Sequence, residues 1–181
     1  MALHEQCVGA TDEWYTPKYV FDALGCTFDM DVASPNPPLS WIPTSRFLWS
    51  DSLDQDWYGF IWMNAPFGGR NGLVPWLQKF WDHGNGIALV PDRTSAPWWQ
   101  TYVPQADAVL FVERKIKFIR PDGSPGKSPA QGTCLVGIGA QAKLALMNAE
   151  FTGLGSVMVP NSPASISSDT PRNACTVLSP S

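Results

Sequence analysis

Phe60-Ile61-Trp62-Met63-Asn64-Ala65-Pro66-Phe67-Gly68-Gly69 is the stretch best equipped for chemistry. An apolar run ends in an amide, an Ala-Pro step follows, then an aromatic ring and two glycines. The Asn64 side-chain carbonyl and the Ala65 backbone carbonyl can both accept hydrogen bonds from one planar amino group. Pro66 fixes its own φ and biases Ala65 toward an extended backbone, which holds the acceptors still. Phe67 can stack on the ring that carries the amino group. Two acceptors pulling on the N–H bonds draw the nitrogen lone pair out of conjugation and leave it free to attack an electrophile. The same residues also suit a plain strand-to-helix turn with Phe67 in the core.

Such a turn needs a strand to deliver it and a sheet edge to hold it. Ligands of open α/β sheets sit beyond the carboxyl ends of the strands. Residues 60–63 read as that strand. The helix after it has the clearest pattern in the chain: Leu73, Trp76, Leu77, Phe80 and Trp81 recur at helical spacing, with Pro75 in the first turn and Gly84 as the stop. Gly86 to Val90 reads as a short buried strand of a parallel sheet. The polar turn Pro91-Asp92-Arg93-Thr94-Ser95 then falls on the same edge as Asn64. A short helix follows from Pro97 to Val103, and its adjacent Trp98 and Trp99 point different ways.

Upstream, Thr16 reads as the cap of a helix with Pro17 at its first position, Val20, Phe21 and Leu24 on its inner face, and Gly25 as the stop. Trp14 belongs to the aromatic approach to that cap. Cys26 to Val32 alternates as a strand. Asp31 at its end can meet a ligand amine, since a buried unpaired acid is costly; the alternative is that Asp29 and Asp31 sit on the exposed side or cap the next loop. Asp51 opens a polar turn and reads either as an acceptor for a ligand or as a helix cap. Downstream, strands are expected at Ala108 to Val112 and Gly132 to Ile138, a mobile Pro/Gly/Ser/Lys-rich loop at 121–131, and a helix from Ala140 to Glu150.

The 181 residues imply one domain. We divide them into a loose lead-in (1–12), a compact α/β body (13–155) and a disordered Ser/Pro-rich tail (156–181). Net charge is −4, so the surface as a whole does not attract nucleic acid. Five of the twelve basic residues, Arg114, Lys115, Lys117, Arg120 and Lys127, nevertheless fall in one region. Lys115 and Lys117 alternate with Ile116 and Phe118, so both face one side. The four cysteines are dispersed, and the two histidines cannot complete a tetrahedral metal set, so no metal site is expected. Reduced thiols in a cytoplasmic protein are expected, without a secretory signal or membrane span.

Taken together, Glu13-Trp14-Tyr15-Thr16-Pro17, Phe28-Asp29-Met30-Asp31-Val32, Met63-Asn64-Ala65-Pro66-Phe67-Gly68 and Leu89-Val90-Pro91-Asp92-Arg93-Thr94 with Trp98-Trp99 resemble, in order and spacing, the phage-type DNA N6-adenine methyltransferases (the Dam family). The similarity runs from about residue 12 to 138. It implies a Rossmann-like fold, S-adenosylmethionine as methyl donor, and double-stranded DNA as partner in the cytoplasm of a bacterial host. By this resemblance Asn64, Ala65, Pro66 and Phe67 form the catalytic turn, and Thr16-Pro17, with Trp14 beside them, contact the methionine end of the donor. Asp31 lies near its amino group and Asp51 near its nucleoside end. Arg93, Arg114, Lys115 and Lys117 are candidates for phosphate contact. The first Pro of the usual motif is Ala65 here, and Val32-Ala33-Ser34-Pro35 stands where a Gly-rich loop is usual. Other readings are a cytosine N4-methyltransferase, an RNA or protein-amide methyltransferase, and a non-catalytic nucleic-acid-binding relative.

Overall fold

A computed structural model describes residues 14–68, 72–126 and 131–160. The expected lead-in (1–12) with His4 and Cys7, Gly69, Lys127, and the part of the expected tail beyond Pro160 with Cys175 lie outside the described residues. The elements in chain order are α1 (Lys18–Leu24), β1 (Met30–Asp31), β2 (Ile61–Met63), α2 (Val74–His83), β3 (Gly86–Pro91), α3 (Pro97–Tyr102, continued by a 3₁₀ turn at Val103–Gln105), β4 (Ala108–Val112), β5 (Thr133–Ile138), α4 (Ala140–Phe151) and β6 (Gly155–Met158).

The six strands form one mixed sheet in the order β1-β2-β3-β5-β4-β6. β1, β2 and β3 are parallel, whereas β5 runs antiparallel to both β3 and β4. β3 and β4 therefore point the same way, and the carboxyl ends of β1 to β4 share one edge. Helices cover both faces. Strand alternation sends Ile61, Met63, Ala88 and Val90 into a core with Leu77, Phe80 and Trp99 of α2 and α3. It sends Trp62, Ile87, Leu89 and Leu110 into a second core with Phe21 and Leu24 of α1 and Leu146 of α4. Near-continuous apolar strands are what a sheet buried on both faces requires.

The helix stops fall where expected. Gly25 (φ 62°) and Gly84 (φ 75°) adopt the left-handed conformation that ends α1 and α2. At Gly86 the need is space: a Cβ would lie 2.5 Å from the Ile61 carbonyl oxygen across the β2–β3 pair. Gly86→Ala is expected to destabilise the fold by about 2–3 kcal/mol, seen as a lower urea midpoint at unchanged m-value.

Several expectations need correction. The ladder in 26–32 is confined to Met30–Asp31, because Phe28, Asp29 and Asp31 give their N–H groups to Pro43, Phe60 and Arg46 respectively. α1 begins at Lys18 with Pro17 as its N-cap, and Thr16 makes no capping bond. No helix follows Asp51, whose turn closes with Asp54 N–H to the Asp51 carbonyl at 2.9 Å. Within the expected loop 121–131, residues 118–126 fold back as a hairpin, with Gly126 N–H donating to the Phe118 carbonyl at 2.7 Å. β6 occupies a place where the sequence reading had no element, and it carries the sheet past residue 155.

Candidate active site

The sequence places Asn64 one residue past β2, on the parity of Trp62, so it projects toward α1. Its Nδ2 donates to the Trp14 carbonyl (3.1 Å) and to Thr16 Oγ1 (3.2 Å). A backbone carbonyl can only accept, so this contact decides which way the amide is turned. Oδ1 accepts no hydrogen bond among the described residues.

The two acceptors are themselves held. Thr16 is buried, and its carbonyl accepts the Trp41 indole N–H at 2.9 Å. Tyr15 exchanges backbone hydrogen bonds with Ile119 (2.9 and 2.8 Å). Gly126 packs so close to Trp14 that a Cβ there would sit 2.7 Å from the indole. The 118–126 hairpin thus clamps residues 14–16, and those residues clamp Asn64. Ala65 is buried with its methyl in the α2-side core, while Phe67 is 40% exposed. The alternative in which Phe67 fills the core is not what the fold adopts.

Asp31 pairs across the sheet with Trp62, two residues before Asn64, and so shares its face. It is 1% exposed. Burial pushes its carboxyl up to about 7, against the opposing pull of the Ala33 N–H (3.2 Å) and the Ser34 hydroxyl. Among the described residues it has no ion-pair partner. A buried acid with a raised pKa, at the carboxyl end of β1, is a candidate for a functional position.

Asp51 is exposed, with φ 51°. Its turn is fastened to the end of β1: Ser52 Oγ donates to the Val32 carbonyl at 2.5 Å, and Trp57 Nε1 donates to the Ser52 carbonyl at 3.0 Å. Lys79 of α2 reaches the carbonyls of Ser52, Leu53 and Gln55. Ser52 and Lys79 were missed by sequence reasoning. Neither carries a local signal, since each acts across about twenty residues or more.

The basic candidates lie at the same sheet edge as Asn64. Arg93, just past β3, donates through Nε to Gln131 at 2.8 Å. Arg114, just past β4, is exposed beside Glu113 at 3.9 Å, a contact of little energetic weight. Lys115 and Lys117 are exposed while Ile116 and Phe118 are buried, as the alternation requires. Two surface clefts border α1. One of about 490 Å³ lies between Tyr19, Asp22, Arg114 and Leu154. The other, of about 610 Å³, lies between Phe21, Cys26, Trp41 and Gln141. Arg114 joins the first, and neither reaches Asn64.

Neither described cysteine, Cys26 or Cys134, offers a nucleophile. Burial pushes the Cys26 thiol up to about 11, and burial with Asp92 nearby pushes Cys134 up to about 12. A thiol must ionise to attack. Among the described residues no three His, Cys, Asp or Glu side chains converge as a metal set, and no helix is long and apolar enough to cross a membrane.

What the arrangement can do is hold an exocyclic amine by an acceptor of decided orientation beside an exposed aromatic ring. Comparison with curated proteins and with solved structures returned no match. The family model described as DNA N-6-adenine-methyltransferase (Dam) matches residues 5–147, most of the chain, so the chain belongs to that family and is an adenine-specific DNA methyltransferase, which methylates the N6 amino group of adenine in DNA.

Proposed function

We propose that Asn64 Oδ1 and the Ala65 carbonyl receive the two N–H groups of the target adenine, with Phe67 stacked on the base and Pro66 stiffening the turn. The observation that carries this reading is the orientation of the Asn64 amide, set by Trp14 and Thr16, which leaves Oδ1 without a donor among the described residues. In this reading Thr16 acts on catalysis through Asn64, because its hydroxyl and carbonyl are both engaged inside the protein.

The methyl donor in this reading is S-adenosylmethionine, which supplies when bound an electrophilic methyl on a sulfonium. Asp31 fits such a molecule: it is a buried carboxyl group without an ion-pair partner among the described residues, and the donor's amino group carries a positive charge. Pro17 and Trp14 border the same space, and Asp51 stands on a turn fixed to the end of β1. The parallel β1-β2-β3 unit, with helices on both faces and candidate residues beyond its carboxyl ends, supports a Rossmann-like assignment.

In the reaction the adenine nitrogen lone pair forms the new N–C bond as the C–S bond breaks, and the nitrogen then releases a proton to solvent. Asn64 and Ala65 contribute by alignment and by stabilising the positive charge that grows on nitrogen. In a duplex the base must leave the stack, at a cost of a few kcal/mol that binding offsets. Arg93, Arg114, Lys115 and Lys117 are the proposed phosphate contacts. Lys115→Ala with Lys117→Ala is expected to flatten the dependence of log affinity on log salt by about 1–2. An unchanged slope in a fluorescence titration would show the two lysines to be an ordinary solvated face.

The decisive test of the whole reading is incubation with labelled S-adenosylmethionine and unmodified DNA, followed by nucleoside analysis. Label in N6-methyladenine is expected; label in N4-methylcytosine, or none in DNA, would overturn it.

A further inference from the structure

α4 carries two opposed apolar faces. Ala142, Ala145, Leu146 and Ala149 face the core, yet the opposite stripe is Ala140, Leu144, Met147 and Phe151, all exposed, with Leu144 at 68% and Phe151 at 90%. A surface helix of a monomer normally carries polar residues there. The spacing of this outer stripe is four, three, four, which is the narrow seam of helix-to-helix packing. The three large side chains expose on the order of 400 Å² of apolar surface, the size of a patch that marks an interaction site.

We propose that this seam packs antiparallel against α4 of a second copy, about a two-fold axis near Met147. Charge chooses this occupant and this direction. Lys143 and Glu150 flank the stripe on one side, seven residues apart. With Met147 near the axis, Lys143 of each copy comes opposite Glu150 of the other, whereas a parallel pair would set this flank against the uncharged Gln141 and Asn148 flank of the partner. The same helix discourages the competing contact. β6 is the edge strand beside it, and its outward Val157 N–H is capped by Glu150 Oε1 at 2.8 Å, which blunts strand-to-strand pairing. Two such patches bury about 800 Å² in total, below the standard range and in the weak, transient class, so dimerisation is concentration-dependent with a dissociation constant of roughly 10–100 µM.

Sedimentation equilibrium of the full chain tests this over about 1–300 µM. The average mass is expected to rise from one chain toward two. Leu144→Asp is expected to weaken association at least ~10-fold while leaving the melting temperature and methyl transfer rate at wild-type values, since the side chain is exposed. Lys143→Glu is expected to weaken it by roughly 5-fold, and Lys143→Glu with Glu150→Lys to recover most of that loss. A single-chain mass at every concentration, or a dimer indifferent to Leu144→Asp, would overturn the proposal. Failure of the charge exchange to recover association would overturn the antiparallel arrangement.

Discussion

Asn64→Ala is expected to lower methyl transfer by 100- to 1,000-fold or more, with S-adenosylmethionine affinity within a few-fold of wild type. Removing a preoriented group that meets charge developing in the transition state typically costs that much. The side chain also donates to Trp14 and Thr16, at 3.1 and 3.2 Å, so some stability goes with it. A neutral hydrogen bond contributes about 1 kcal/mol, which implies a modest fall in melting temperature rather than unfolding. Single-turnover rates read the loss, and calorimetry with the donor reads the affinity. Asn64→Asp sharpens the test. The carboxylate keeps an acceptor for the adenine amine, but it has no N–H for the Trp14 carbonyl, and two acceptors then face one another. Activity between that of wild type and Asn64→Ala is expected. Transfer by Asn64→Ala within ten-fold of wild type would remove this residue from the chemistry.

Asp31→Asn should move stability and donor binding in opposite directions. The carboxyl is raised from its ordinary value of 3.8 to about 7 by burial. Between those values the folded chain binds more protons than the unfolded chain. Stability is therefore greatest below about pH 4, declines as pH rises toward 7, and levels off above it. A shift of about three units corresponds to on the order of 4 kcal/mol lost across that window. Asn carries no charge to bury, so Asp31→Asn is expected to raise the melting temperature of the free protein at pH 8 and to flatten its pH dependence between 4 and 7. A cationic ligand reverses the logic, because an ammonium beside Asp31 favours the ionised form. Donor affinity of the wild type is expected to rise with pH through about 7, with proton release measurable by calorimetry in buffers of different ionisation enthalpy. Truncating one member of a buried charge pair costs roughly 2–5 kcal/mol, so the variant's donor affinity should fall by about 30-fold or more. A variant that gains stability and binds the donor undiminished would leave Asp31 a structural acid only.

These two residues show how differently a sequence and a fold carry information. Asn64 was legible because its motif is contiguous: amide, Ala-Pro step, aromatic and glycine are all local, and local stiffness follows from residue type. The stripe from Leu73 to Trp81, the stops at Gly25 and Gly84, the apolar strand at 86–90 and the alternation of Lys115 and Lys117 were legible for the same reason. Helical periodicity, strand alternation and the left-handed preference of glycine are properties of a few consecutive residues. The Dam family assignment rests on the joint order of several such short segments.

Other features have no local cause. β5 runs antiparallel to its neighbours, although its composition is that of any buried strand. β6 is short and half-exposed, and it exists because β4 offers it an edge. The hairpin at 118–126 looks like a loop by composition and becomes a clamp only through Tyr15, more than one hundred residues earlier. Thr16 has the type of a helix cap, but its hydroxyl is taken by Asn64, 48 residues away. Residue types and short-range spacing determined which side chains could do chemistry and which helices and strands would carry most of them. Only the tertiary structure decided which way the Asn64 amide faces and how deeply Asp31 is buried, because hydrogen-bond partners and desolvation are set by chain segments that meet only once the sheet has assembled.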